Sequence, residues 1–140
     1  LTGEELVVNG GFDDGATGWV PNGATLGVVD GKLRTVALAT GAKGAYQDIA
    51  TAVGASYSVG GFVDNRSSAA SAGLRAATTS FSTLDESPTV PFGGNGDVSF
   101  DFSATTTVTR IILDRKSDNS VVGDVVLFDN ISVKRLITKA

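Results

Sequence analysis

The chain has 140 residues, the size of one compact domain, and its lack of Cys and His excludes disulfides, thiolate nucleophiles, the Ser-His-Asp arrangement and imidazole metal sites. Its 11 Lys and Arg against 15 Asp and Glu give a formal net charge of −4, which disfavours nucleic acid as a partner. No apolar run approaches the roughly 18 residues of a membrane span, so a membrane is not an expected partner either.

Short β-branched or aromatic runs separated by Gly, Asp and Asn recur along the chain and predict an antiparallel β-sandwich. The predicted strands are Glu5–Val8, Gly18–Val20, Thr25–Val29, Lys32–Leu38, Gly44–Ile49, Ser56–Val63, Gly73–Thr79, Val98–Phe102, Thr107–Asp114 and Gly123–Val133. The segment from Phe81 to Gly96 holds two of the three prolines and is predicted as a long loop. One domain over residues 1–140 is expected.

Alternation along the predicted last strand places a carboxylate among apolar residues. Val125, Leu127, Ile131 and Val133 share the face expected to point inward, and Asp129 falls in the same register. A lone carboxylate inside a sandwich is costly unless it is paired or binds a metal. Asp129 is therefore a candidate ligand.

Four segments, in this order and spacing, resemble a known family: Asn9 to Trp19, Val28 to Leu33, Gly54 to Val59 and Leu127 to Val133. They are similar to the β-jelly-roll carbohydrate-binding modules of families 4, 9 and 22, which accompany bacterial polysaccharide hydrolases. Related modules also occur in phage tail and capsid appendages. The resemblance extends from Leu6 to Val133 and implies a galactose-binding-like jelly roll with two sheets around one core. By the same resemblance Trp19 is a core residue.

The resemblance also implies a structural Ca²⁺ between the first and last strands. Its ligands would be the carbonyls of Gly11 and Gly31 and the carboxylates of Asp129 and Asp13, the last at a position where family members often have Glu. Such a mixture of carboxylate and carbonyl oxygens suits Ca²⁺. The alternatives are that Asp14 replaces Asp13, or that the aspartates in turns are only turn residues and Asp129 accepts backbone N–H bonds.

Sugar binding in this family uses polar side chains on the concave sheet, flanked by aromatic rings. The matching positions here are Asn22, Gln47, Arg75, Arg110 and Asp114. Planar donors and acceptors of this kind suit hydroxyl-rich chains. Glucan-binding relatives often have Tyr where Asn22 stands, and Phe62 is the only aromatic residue expected on the polar face. The alternative for Arg110 and Asp114 is a solvated cross-strand pair.

The predicted function is non-catalytic binding of a polysaccharide or cell-surface glycan by a module of a larger extracellular or virion protein. No pair of glutamates suggests a glycosidase site, so an enzyme is not expected. Expected partners are a glycan and other enzyme or virion modules, with no nucleic acid and no membrane. The alternative is a structural virion module, a capsid decoration or tail appendage, that uses the jelly roll for assembly and binds no sugar.

Overall fold

Antiparallel strands account for the regular structure. The computed structural model describes residues 2–38, 43–66, 71–91, 93–115 and 122–137. The strands are β1 (Thr2–Glu5), β2 (Val20–Asn22), β3 (Ala24–Val29), β4 (Lys32–Ala37), β5 (Gly44–Ala50), β6 (Ser56–Asp64), β7 (Ala72–Ala77), β8 (Thr83–Glu86), β9 (Asn95–Ser103), β10 (Val108–Arg115) and β11 (Val125–Leu136). None of the described residues forms a helix of the length and apolarity that a bilayer crossing requires.

The strands form two sheets that enclose one core, as predicted. The first sheet has the order β3-β4-β11-β6-β9, with β1 also paired to β11, and the second has the order β2-β5-β10-β7-β8. Strands that are distant in sequence are neighbours in both sheets, which is typical of a jelly roll. Residues at alternate positions along the strands fill the space between the two sheets, including Leu33, Val59, Ile111 and Phe128.

Trp19 belongs to this core, as expected. It is almost fully buried, its ring lies 5.7 Å from that of Phe12, and its Nε1–H donates a 3.1 Å hydrogen bond to the carbonyl of Asn9. Burying a tryptophan is favourable when its one polar atom finds such a partner. Trp19 therefore stabilises the sandwich and is not available as a platform for a ligand.

β1 and β8 differ most from the predicted strands, because their residues lack a clear apolar alternation. β1 ends at Glu5, the residue at which the predicted strand begins. The Leu6 N–H still donates to the Val133 carbonyl at 2.9 Å, and the residues after Leu6 leave the sheet. β8 lies within the predicted loop from Phe81 to Gly96, of which residue 92 is outside the described residues. It is a short, polar edge strand, a type that alternation does not reveal.

The prediction that Asp129 points inward is wrong, and a β-bulge is the reason. The pairing of β11 with β6 shifts between Asp129 and Ser132, and Asn130 has a positive φ of 52°. An extra residue at a bulge reverses the alternation of side chains beyond it. Val126 and Phe128 therefore belong to the core, whereas Asp129 faces away from it and is only half-buried.

Candidate functional site

The outer face of the second sheet carries the main group of polar and aromatic side chains. Ile111 and Leu113 of β10 pack in the core, so alternation places Arg110, Ile112 and Asp114 on the opposite, outer side. Strand pairing aligns their neighbours on the same side in three rows: Asn22, Gly44, Asp114 and Gly73; Val20, Tyr46, Ile112, Arg75 and Glu86; and Asp48, Arg110, Ala77 and Thr83. Ile112 is fully buried although it lies on this face, so its neighbours form a covering layer.

Arg75 and Asp114 form a buried ion pair in this layer. Both Nε and one terminal nitrogen of Arg75 lie on Asp114 Oδ2, at 3.1 and 3.0 Å, and the other terminal nitrogen donates to Thr83 Oγ1 at 3.0 Å. Only 4% of the Asp114 side chain and 14% of the Arg75 side chain are exposed. This pair links β7 to β10. Most of the hydrogen-bonding capacity of the two side chains is used within the protein.

Arg110 lies at the centre of an aromatic cluster. Its guanidinium donates to both carboxylate oxygens of Asp48, at 2.8 and 3.1 Å, and its carbon lies 4.0 Å from the centre of the Tyr46 ring and 4.8 Å from that of Phe81. The two rings meet edge to face, with centres 5.7 Å apart. The hydrogen bond to Asp48 raises the pKa of Arg110 further above its usual range, so the group is always charged. The charged guanidinium of Arg110 therefore holds the side chains of Asp48, Tyr46 and Phe81 in one arrangement.

Phe81 is the most exposed aromatic side chain of this cluster. It ends the tight turn between β7 and β8, in which its N–H bonds the Thr78 carbonyl at 2.9 Å, and it has a φ of 65°. A positive φ is unfavourable for a phenylalanine, so the turn holds the ring over the sheet at a cost in backbone energy. With 38% of the residue exposed, the ring offers an apolar surface to solvent.

Sequence reasoning missed the two rings of this cluster. The regular alternation of β5 was the available signal for Tyr46, which shares a face with Asp48. Phe81 carried no such signal because it lies in a turn. Phe62, the aromatic residue expected on the polar face, lies on the outer side of the first sheet, opposite Asp129 in the register of β6 and β11.

Of the predicted sugar-binding residues, Asn22, Arg75, Arg110 and Asp114 share the outer face, and Gln47 does not. Gln47 pairs with Ile111 on the core side and is buried. Its side chain accepts from the Val8 N–H at 2.8 Å and donates to the carbonyls of Val8 and Gly18 at 2.9 and 3.2 Å. The placement of Gln47 on the binding face is therefore wrong, since it anchors the segment that follows β1.

The segments predicted to hold calcium come together at the bulge of β11. The Ile131 N–H bonds the Gly10 carbonyl at 2.9 Å, and an Asp13 carboxylate oxygen lies 3.9 Å from the place a Cβ on Gly11 would occupy. The pairing of Phe128 with Leu33 brings the β3–β4 turn, with Gly31, to the same end. Asp129 Oδ1 accepts from the Asn130 N–H at 2.8 Å, and no group of three or more carboxylates occurs among the described residues.

Asp14, the alternative to Asp13, is part of the turn that Asn9 organises. Its N–H donates to Asn9 Oδ1 at 3.1 Å, and Asn9 Nδ2 donates to the carbonyls of Gly15 and Thr17 at 3.0 and 2.9 Å. Asp14 takes part in this turn through its backbone N–H, so these hydrogen bonds do not use its carboxylate. The two neighbouring aspartates therefore differ in position, and it is the Asp13 carboxylate that lies beside Gly11.

Solved structures with this fold include several carbohydrate-binding modules. A CBM4 structure superposes with a TM-score of 0.72 at 15% identity, over 93% of this chain and 99% of its own. A CBM61 module in complex with β-1,4-galactotriose gives 0.66 at 12% identity, over 95% and 99%. The enzymatically active domain of tailspike protein 4 of bacteriophage CBA120 gives 0.66 at 15% identity, over 94% of this chain but 21% of the tailspike. No protein-family model and no curated protein matches the sequence.

These likenesses confirm the predicted jelly roll. They cover most of the chain, and two of the three matched structures are spanned almost completely, whereas the chain spans about a fifth of the tailspike. The fold alone leaves the ligand open, because one fold serves many functions. The function is therefore inferred from the chemistry of the outer face of the second sheet.

Proposed function

We propose that this chain is a non-catalytic carbohydrate-binding module, part of a larger extracellular protein, that holds a neutral polysaccharide against the outer face of the second sheet. The cluster of Tyr46, Arg110 and Phe81 carries the proposal. The similarity of the fold to CBM4 and CBM61 supports it.

The cluster can contact both the apolar C–H face and the hydroxyl groups of a sugar ring. The rings of Tyr46 and Phe81 provide an apolar surface for the C–H groups of a pyranose, and Phe81 is the more exposed of the two. The Asp48 side chain, of which 37% is exposed, offers acceptor capacity to hydroxyl groups, and Asn22 adds an amide at the other end of the face. Because Arg110 holds Asp48 in place, less conformational entropy is lost when a sugar binds.

The charge of this face favours a neutral glycan over an acidic one. Arg75 and Arg110 are both engaged by carboxylates, and Glu86 on the same face adds a further negative charge. Neither arginine can turn to a uronate or sulfate without breaking its ion pair with Asp114 or Asp48, and the whole chain is negatively charged.

Affinity electrophoresis tests the proposed function. Neutral β-glucan, xylan and β-1,4-galactan, and the polyanions polygalacturonate and alginate, are each included in a native gel. At least one neutral polysaccharide is expected to retard the chain, and the polyanions are expected to leave its mobility unchanged even at low salt, where charge attraction is strongest. Retardation by a polyanion that disappears with added salt would contradict the choice of ligand. No retardation in any gel would favour the structural virion module.

The absence of catalysis is part of the proposal. A glycosidase needs two carboxyl groups facing each other across the bound sugar. Glu5 accepts hydrogen bonds from the N–H groups of Val7 and Val133, at 3.1 and 2.7 Å, so its role is structural. Asp48 and Asp114 are each paired with an arginine, which suits positioning rather than proton transfer.

We also propose that Ca²⁺ binds at the bulge of β11, held by the carbonyls of Gly11 and Gly31 and the carboxylates of Asp13 and Asp129. The closeness of Asp13 to Gly11, and of the Gly10 segment to Ile131, fits this donor set. The ion would tie three separate segments together by hard-oxygen coordination, so its contribution would be to stability.

Chelation tests the calcium proposal. EDTA is expected to lower the melting temperature and added Ca²⁺ to restore it, because an ion bound only by the folded state stabilises it by about 3 kcal/mol at one hundred times its Kd. Asp129→Asn should abolish this response, and Asp101→Asn, on the exposed side of β9, should keep it. Identical melting curves with EDTA and with Ca²⁺ would overturn the proposal.

A further inference from the structure

A separate cavity of about 350 Å³ opens at the end of the sandwich, where β1 of the first sheet faces β5 of the second. β2 pairs only with Gly44 to Tyr46, so among the described strands none covers the outer edge of β5 beyond Tyr46. Leu6, Ala50, Ala52 and Ile137 form apolar parts of its lining. We call this the end cavity, and it does not include any residue of the Tyr46, Arg110 and Phe81 cluster.

Tyr57 lines the end cavity, and its hydroxyl keeps a proton that no described acceptor takes. Tyr57 is 2% exposed, with its ring stacked on that of Phe102 at 5.2 Å, and its hydroxyl oxygen accepts from the Ala52 N–H at 2.8 Å. Among the described residues no acceptor takes the hydroxyl proton. A buried donor without an acceptor is costly, so a hydrogen-bond acceptor in the cavity would be stabilised there.

Two opposite charges lie at the edge of the same cavity. Arg135 continues the inward register of Ile131 and Val133 past the last core residue, and Glu4 comes from the neighbouring β1. Neither forms an ion pair with a described residue. Together with Tyr57 they supply an acceptor and two donors around apolar walls, and their charges cancel. This combination suits a neutral molecule that has several hydroxyl groups and an apolar face.

We infer that the end cavity is a second binding site, and that it takes a neutral polyol of the size of one or two sugar units. The volume lies at the lower end of the range for small-molecule sites, which fits a chain end or a free saccharide rather than the middle of a polysaccharide. Small residues, Ala50 and Ala52 among them, leave the space for it. This inference does not depend on sugar binding at the outer face of the second sheet.

Amide chemical shifts measured by NMR locate binding directly. We expect millimolar glucose, xylose, galactose or their disaccharides to shift the amides of Gly3, Thr51 and Ala52. Ala52→Leu should fill the cavity and abolish these shifts, and Val53→Leu, at the exposed neighbouring residue outside the lining, should keep them. Tyr57→Phe removes only the hydroxyl and should weaken binding by about fivefold, the worth of one hydrogen bond.

The same titration separates this site from the first. In Arg110→Ala the shifts at the end cavity should persist whether or not polysaccharide binding is lost, and Ala52→Leu should retain whatever polysaccharide binding the unchanged chain has. The inference is overturned if no saccharide shifts these amides at any concentration, or if Ala52→Leu, shown to be folded by its own spectrum, still gives them. Shifts that respond equally to an aliphatic alcohol with a single hydroxyl would also overturn it.

Discussion

The Arg75→Met variant is expected to be less stable than the unchanged chain by about 3 kcal/mol, roughly 10 °C in melting temperature for a domain of this size. The substitution leaves the Asp114 carboxylate, of which 4% is exposed, without its arginine in a low-dielectric environment. Thr83 also loses its partner. Urea unfolding followed by tryptophan fluorescence measures the effect, because Trp19 is the only tryptophan and is buried.

Arg110→Met is the matched control for this prediction. Asp48, its partner, has 37% of its side chain exposed, so water can solvate the carboxylate that the substitution leaves behind. The cost is expected to stay near 1 kcal/mol or below. In the Arg75→Met background, Asp114→Asn should recover part of the lost stability because it removes the buried charge that has lost its arginine. Equal losses in the two arginine variants, or no recovery with Asp114→Asn, would show that the Arg75–Asp114 ion pair is not shielded from water.

The Arg75–Asp114 pair also shows what could not be predicted about the site from the sequence. Alternation along β10 places Arg110 and Asp114 on one face, and the pairing of strands then brings Arg75 to the same face. The partners could not be predicted: the pairing of Arg110 with Asp114, given as an alternative from the sequence, does not occur, and each of the two pairs with a residue of a neighbouring strand. The face on which the resemblance places sugar-binding side chains is in fact a layer in which Arg75 and Asp114 are largely buried.

The fold was predictable to the extent that its strands alternate. The predicted strands Thr25–Val29 and Lys32–Leu38 correspond to β3 and β4, which pair with each other across the turn at Asp30 and Gly31. In the predicted strand Ser56–Val63, the apolar residues Tyr57, Val59 and Val63 alternate with the others and belong to the core. Alternation fails at Asp129 because a bulge depends on which strands become neighbours, a property of the whole sheet. At Gln47 the family resemblance fails and alternation holds, because Gln47 lies between the core residues Ala45 and Ile49 on β5. A polar side chain can face inward wherever backbone groups await a partner.

The aromatic side of the site rests on the turn that holds Phe81. Its φ of 65° costs roughly 1 kcal/mol or more for a phenylalanine, and asparagine adopts such a conformation more readily. The ring in turn contacts Tyr46 and Arg110, which contributes about 1 kcal/mol. Phe81→Asn should therefore change the free energy of unfolding very little, because the gain in the backbone offsets the loss of the contacts.

Phe81→Asn should nevertheless weaken binding of the retained polysaccharide by about 10- to 100-fold, since burying a phenyl ring is worth about 1.5–3 kcal/mol. Isothermal titration with the oligosaccharide of the polysaccharide that retards the chain measures this. Phe62→Asn, at the aromatic residue on the outer side of the first sheet, should leave the affinity unchanged, because the two rings lie on opposite sheets. A Phe81→Asn variant that is folded and binds as tightly as the unchanged chain would contradict the proposed site. A loss confined to Phe62→Asn would move the glycan to the first sheet.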